Sequence, residues 1–379
     1  MFHLLLAVIY LSFISLGLPD GLLGAAWPSI YPELGTPMSF AGIVSMIICV
    51  GTILSSLFSD RLTYRLGPGK VTALSIALTC LALFGFSVSN RFWMLCLWAI
   101  PYGLGAGCVD ATLNNYVALH YSSRHMSWLH CMWGVGASIG PYIVGLVLTL
   151  GRHWGNAYRY VGILQIVLTG IVLLSLPLWK KQSQMDQAKP IPLPQVIRIP
   201  GAKSVMLSFF CYCALEQTAA LWSASYLHLH AGLSAEMAAS FGSLFFLGIT
   251  AGRAISGFIA MKLNDTQMIR LGFGVIAVGV IILLLPLGKY VAMAGLALVG
   301  LGCAPIYPCV MHATPAHFGI ERSQALMGLQ TASAYVGTAL MPPLFGLIAN
   351  HISIALMGIY LAILLVLMIV SYEHLLRKK

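Results

Sequence analysis

Three acidic side chains stand deep inside long apolar stretches of this chain: Asp20, Asp110 and Glu216. A charged side chain at the centre of a lipid-spanning helix costs about 3 kcal/mol on insertion scales, so it persists where it meets a partner or a watery cavity. Desolvation disfavours the ionised form of a carboxyl group, which lets it gain and lose a proton near neutral pH. The candidate chemistry is therefore proton binding and the holding of a polar solute. No nucleophile motif, metal-ligand spacing or phosphate-binding glycine loop accompanies these residues. No catalytic residue, metal or cofactor is expected, and the chain is not expected to be an enzyme.

Each carboxylate sits in a readable local pattern. Asp110 shares a helical stripe with Gly103, Gly107 and Asn114. Glycines let a neighbouring helix approach, and the polar pair then faces the bundle interior. Asp20 lies in Leu18-Pro19-Asp20-Gly21, on the stripe Phe13, Gly17, Asp20, Gly24, Trp27. Proline and glycine loosen the helix there, so Asp20 either serves a site or satisfies amides freed at the kink. Asp110 is either a coupling group or a hydrogen-bond anchor between helices. Asp20 and Asp110 are the proton-coupling candidates. Glu216, followed by Gln217, is read as a solute-binding carboxylate or as half of a buried pair, with Arg253 the available cation in the same half. His130 reads as a proton relay or as a satisfied polar residue between helices.

These residues need long apolar helices to position them. The chain has 379 residues, 59% of them hydrophobic and 8% charged, with a mean hydropathy of +0.90. A soluble domain carries about 25% charged residues. So few charges cannot keep a surface wet, so lipid must surround most of the chain. The apolar runs are continuous rather than alternating, which selects helices over a barrel. Twelve runs are long enough to span a bilayer, at about 4–31, 38–62, 69–89, 92–120, 126–150, 157–179, 203–228, 235–262, 267–288, 290–314, 324–349 and 353–376. The first is read as a retained helix rather than a signal peptide, because it lacks a basic leader region. The nine cysteines mostly lie inside apolar runs and act as small hydrophobes.

The formal charge of +10 could suggest nucleic acid. Its distribution excludes that partner: fifteen of the twenty Lys and Arg fall on one set of alternate loops and four on the other. That asymmetry orients a membrane protein and places both termini in the cytoplasm. A basic, proline-rich stretch divides the chain, giving an N-terminal six-helix bundle at 1–179, a cytoplasmic linker at 180–201 and a C-terminal six-helix bundle at 202–379. The halves repeat. Gly51 matches Gly248 and Gly103 matches Gly300, both at an offset of 197 residues. The fold class expected is thus an all-α membrane protein of twelve transmembrane helices in two pseudo-symmetric six-helix bundles.

Two segments carry a family resemblance. The loop after the second span reads Ser56-Leu57-Phe58-Ser59-Asp60-Arg61, then Arg65, and the fifth span reads Gly134-Val135-Gly136-Ala137-Ser138-Ile139-Gly140-Pro141. Both resemble the major facilitator superfamily, although Ser56 stands where that loop signature has Gly. Within the superfamily the chain resembles the fucose-permease branch of sugar:proton symporters. That branch has carboxylates in its first and fourth helices, where Asp20 and Asp110 fall. The resemblance implies the major facilitator fold, uptake of a monosaccharide by alternating access, and coupling to a proton or to sodium. It also implies that Asp60 and Arg61 form a cytoplasmic gate.

A sugar site needs hydrogen-bonding side chains and an aromatic plane for the ring's apolar face. The candidates are Asn114, Glu216, Gln217, Gln330 and Tyr335, with Trp27, Trp133 and Trp222 as stacking rings. Lipid or core packing is the bland reading for each tryptophan. The expected partners are a small-molecule substrate, a coupling proton or sodium ion and the lipid bilayer, with the protein a monomer in a cell membrane (the inner membrane if the source is bacterial). The rival function is efflux of amphiphilic drugs or metabolites by proton antiport. A rival of another class is a membrane sensor descended from a transporter.

Overall fold

The structure is a computed structural model and describes residues 2–36, 40–179, 191–233, 244–285 and 288–377. Every regular element among them is helical. The helices are α1 (Phe2–Gly17), α2 (Leu22–Glu33), α3 (Ala41–Leu66), α4 (Pro68–Ser87), α5 (Phe92–His120), α6 (Ser123–Thr149), α7 (Gly155–Ser175), α8 (Leu193–Arg198), α9 (Ala202–Leu229), α10 (Leu244–Ile259), α11 (Asp265–Leu284), α12 (Lys289–Cys303), α13 (Ile306–Phe318), α14 (Ile320–His351) and α15 (Met357–Arg377). Eleven apolar stretches of helix among the described residues are long enough to cross a membrane. The expected eighth span is represented by α10, whose apolar part is Leu247–Ile259, and its expected start lies outside the described residues. Half of the expected linker, 180–190, also lies outside them.

Backbone chemistry sets the breaks. The first span divides into α1 and α2 at Leu18-Pro19-Asp20-Gly21, where Asp20 N–H bonds to Gly17 O at 3.1 Å and Leu22 N–H to Pro19 O at 3.1 Å. The tenth span divides into α12 and α13 at Ala304-Pro305. Gly67 and Gly319 link successive helices at φ +79° and +89°, a region that favours glycine. The outward faces are apolar: Leu164, Ile166, Val167, Leu173 and Leu174 of α7 are all exposed. Such a surface is stable only against lipid.

The chain forms two compact units. Unit 1 comprises Met1–Tyr116, Leu129–Ile191 and Glu321–Ala332; unit 2 comprises Val117–Trp128, Pro192–Ile320 and Ser333–Lys379. Each is built mainly from one half of the sequence and includes a short segment of the other half.

The 197-residue offset reappears as packing. In unit 1 a Cβ on Gly51 would come within 3.1 Å of Gly103 Cα, and one on Gly105 within 2.7 Å of Ser75 O. In unit 2 a Cβ on Gly248 would come within 3.4 Å of Gly300 C, and one on Gly302 within 2.8 Å of Gly272 O. Each of these residues is its counterpart's number plus 197. Backbone-to-backbone packing of this kind replaces the missing hydrophobic drive between helices in lipid. Unit 1 also has a core of Leu22, Trp27, Ile30, Leu83, Phe86, Trp154 and Tyr158, among other side chains.

Candidate functional site

Asp20 sits in the break between α1 and α2, so its side chain is not committed to a helical face. Tyr102 of α5 donates its hydroxyl to Asp20 Oδ1 at 3.0 Å, and Trp133 of α6 donates its indole N–H to Oδ2 at 2.8 Å. Three spans of unit 1 therefore converge on one carboxylate. Asp20 is exposed and Trp133 is half-buried. Both donors are neutral, so they bring no balancing charge and leave the carboxyl group spare acceptor capacity. Gly17 permits this approach, because a Cβ there would meet the Trp133 and Ala137 backbone of α6.

Asp110 lies one turn below Asn114 on α5. Asn114 Nδ2 donates to Asp110 Oδ1 at 2.9 Å and to Asp110 O at 2.9 Å. The other end of the Asn114 amide, Oδ1, lies 2.9 Å from His130 Nε2. Phe13 packs edge-on against the His130 ring with centroids 5.3 Å apart. Asp110, Asn114 and His130 are all buried. The stripe of Asp110 and Asn114 thus faces the interior of unit 1. His130 completes it, as a polar residue held between helices.

Glu216 and Arg253 meet in unit 2, with Oε1 and a guanidinium nitrogen 3.7 Å apart. The Tyr212 hydroxyl donates to the other Glu216 oxygen and lies 3.1 Å from Cys303 O. Glu216 is 8% and Arg253 4% accessible, so the pair is closed to solvent. Glu216 thus stands in a buried contact with Arg253.

The remaining candidates divide. Gln217 is half-buried beside Glu216. Trp222 donates its indole N–H to Pro342 O at 3.0 Å and packs edge-on against Phe345 at 5.9 Å. Trp27 is 4% accessible and belongs to the apolar core of unit 1, which is the bland reading for that ring. Gln330 is fully buried in unit 1, whereas Tyr335, five residues on in the same helix, is half-buried in unit 2. Asp60 accepts the Ile191 N–H at 3.0 Å, and Arg61 lies over the Phe58 ring at 5.6 Å. Asp60 and Arg61 are thus engaged by separate partners. Nearby, Gln324 Nε2 donates to Ser59 Oγ at 3.3 Å and Ser323 donates to Asn115 Oδ1 at 2.6 Å. Tyr102 and Tyr212 were missed in the sequence. Tyr212 stands four residues before Glu216 on one helix, a spacing that signals it. Tyr102 reaches Asp20 across helices and leaves no such mark.

A family model described as the Major Facilitator Superfamily matches residues 9–291. The chain belongs to the Major Facilitator Superfamily. It is therefore a multi-pass membrane transporter rather than an enzyme. The curated relatives include the uncharacterized transporter y4wD of Sinorhizobium fredii, 24% identical and covering 92% of this chain and 94% of that one. The glucose/mannose transporter GlcP of Bacillus subtilis is 21% identical, covering 96% and 93%. The quinolone resistance protein NorA of Staphylococcus aureus is 23% identical over 53% and 54%. Among solved structures, FucP in the outward conformation superposes with a TM-score of 0.77 over 97% of this chain and 98% of that one, at 14% identity. This superfamily member thus resembles the fucose-permease branch in fold, as its motifs suggested.

Proposed function

We propose that this protein is a twelve-span secondary active transporter with both termini cytoplasmic, in two six-helix bundles at 1–179 and 202–379. It carries a monosaccharide across a cell membrane in symport with a proton, by alternating access. The observation that carries this reading is the Asp20 cluster. An exposed carboxylate, a tyrosine hydroxyl and a half-buried tryptophan ring are brought together by three spans. A sugar offers hydroxyl donors to such a carboxylate and an apolar ring face to such an indole. Asp110, held by the amide of Asn114, is the second protonatable group at depth. The sugar-transporting relative GlcP and the fold of FucP support the same class of solute. Asn114, Glu216, Gln217, Gln330 and Tyr335 remain the further solute-facing candidates, and Asp60 and Arg61 the gate.

The test is uptake of labelled monosaccharides into proteoliposomes. An imposed proton gradient should drive accumulation in the wild type. The Asp110→Asn variant should lose accumulation but keep exchange of internal for external sugar. Wild-type proton-driven accumulation by Asp110→Asn would remove Asp110 from the coupling. Accumulation that follows a sodium gradient instead would replace the proton by sodium. The similarity to NorA favours a second reading, drug efflux by proton antiport. That reading requires proton-driven expulsion of an amphiphilic cation and no sugar exchange.

A further inference from the structure

We propose that His312 and Asp265 form a proton-binding site apart from the carboxylates of unit 1, and that its proton fastens the segment Val117–Trp128 into unit 2. His312 projects from α13. Its Nδ1 lies 2.6 Å from Asp265 Oδ2, and its Nε2 lies 3.1 Å from the Tyr121 carbonyl oxygen. A backbone carbonyl only accepts, so Nε2 carries a hydrogen. The 2.6 Å contact between Nδ1 and a carboxyl oxygen also needs a hydrogen between the two atoms. A neutral imidazole supplies one hydrogen, and an ionised carboxylate supplies none. The pair therefore holds one proton more than neutral histidine plus aspartate, whichever atom of the short contact bears it.

The surroundings favour placing that proton on the ring. Asp265 occupies the first turn of α11, after the Asn264 cap, where the helix dipole favours a negative carboxylate. Its second oxygen accepts the Ser123 hydroxyl. The ionisable groups about the pair come from each neighbouring element. Cys309, on α13 itself, lies 3.9 Å from Ser123 Oγ, and Tyr372 of α15 is near enough to feel the Asp265 charge. Arg270 of α11 is occupied by Glu373 of α15 at 2.7 Å. In the segment itself, Arg124 is directed to His125 and Met261. The side chains of His312 and Asp265 are 20% and 17% accessible, so the proton can exchange with water.

The segment depends on this pair for two of its polar contacts, Tyr121 O and Ser123 Oγ. The Trp128 ring also packs against Gly257 and Phe258, and Arg124 reaches the Met261 sulfur. The two ends of the segment continue into the unit 1 portions of α5 and α6. Loss of the proton leaves one ring nitrogen facing an acceptor lone pair to lone pair, and the segment loosens. The proton is bound in the fastened form, so fastening is favoured at low pH and weakens as pH rises. One proton limits the change to about tenfold per pH unit.

Hydrogen exchange of the full-length protein in lipid nanodiscs tests this, read on peptides covering 117–128 and corrected for intrinsic rates. Between pH 6 and 8 the wild type should lose protection there, by up to about tenfold per unit. His312→Gln and Asp265→Asn should show low protection with no pH dependence. Ser123→Ala keeps the ring and carboxylate, so it should keep the pH dependence at lower protection; it also serves if the other variants do not fold. Ring nitrogen NMR of histidine-labelled protein should show a doubly protonated imidazole that disappears in His312→Gln. Wild-type protection independent of pH, or the same pH dependence in His312→Gln, would overturn the proposal. So would a singly protonated His312 ring.

Discussion

Glu216→Gln separates a buried ion pair from a solute-binding carboxylate. Arg253 is 4% accessible and its charge is opposed by Glu216 at 3.7 Å. With an effective dielectric of about 20, two unit charges at that distance attract by about 4.5 kcal/mol. Removing one partner of a buried pair costs about 3–5 kcal/mol, because the other charge is left uncompensated. Glu216→Gln and Arg253→Met should therefore each lower the melting temperature sharply in detergent. Glu216→Gln also leaves the Tyr212 hydroxyl facing an amide, which still accepts, so that contact softens rather than inverts. The double variant Glu216→Gln/Arg253→Met has no stranded charge and should recover most of the loss. The assay is thermal unfolding of the four proteins, followed by sugar exchange on those that fold. A double variant no more stable than the worse single, or a Glu216→Gln that melts like wild type, refutes the ion-pair reading. A stable double variant that has lost sugar binding would return Glu216 to the solute site.

Two further outcomes follow from the geometry. Gly103→Ala would press a methyl group onto the Ile48 carbonyl, and Gly300→Ala onto that of Phe245. Each should cost about 1–3 kcal/mol by overpacking, whereas Gly145→Ala and Gly274→Ala meet open space and should melt at or above the wild-type temperature. Trp133→Phe keeps a ring but removes the N–H donor to Asp20, and Trp133→Ala removes both. If the indole also stacks on the solute, KM for sugar exchange should rise about tenfold in the Phe variant and further in the Ala variant; equal KM values would reduce Trp133 to a positioning residue.

Much of this architecture was legible because lipid simplifies the code. A run of twenty apolar residues has to be a helix, so the spans and the break at Pro19 could be read from the chain. Contacts within a helix were also legible: Asp110 and Asn114 are four residues apart and do meet. The glycine repeat was visible as a shared offset and turned out to be two equivalent packing seams. What the sequence hides is rotation of one helix against another. Tyr102 and Trp133 reach Asp20 from 82 and 113 residues away, and nothing local marks them. Trp27 shares a stripe with Asp20, yet it packs into the core, because spacing gives a helical face without saying what that face meets. Asp265 and His312 escaped notice for another reason. Asp265 stands at a helix start, where polar residues are usually solvated, and His312 meets it only across helices, 47 residues away.

The two units share a packing seam but not an electrostatic design, and the difference bears on coupling. Offset by 197, Asp20 corresponds to Gln217, so the second half has no carboxylate at that position. Its nearby Glu216 is matched by a guanidinium, so that cluster is balanced without any mobile ion. Asp20 receives a phenol and an indole. Neutral donors solvate a carboxylate but leave its charge in place. A carboxylate that must change its exposure to water during a transport cycle has to shed that charge or cover it, since an uncompensated buried charge costs several kcal/mol. The available remedies are a proton, a metal cation or a cationic solute. A monosaccharide is uncharged and cannot supply the compensation. If a sugar is the solute, a proton or metal cation bound at Asp20 would supply that compensation.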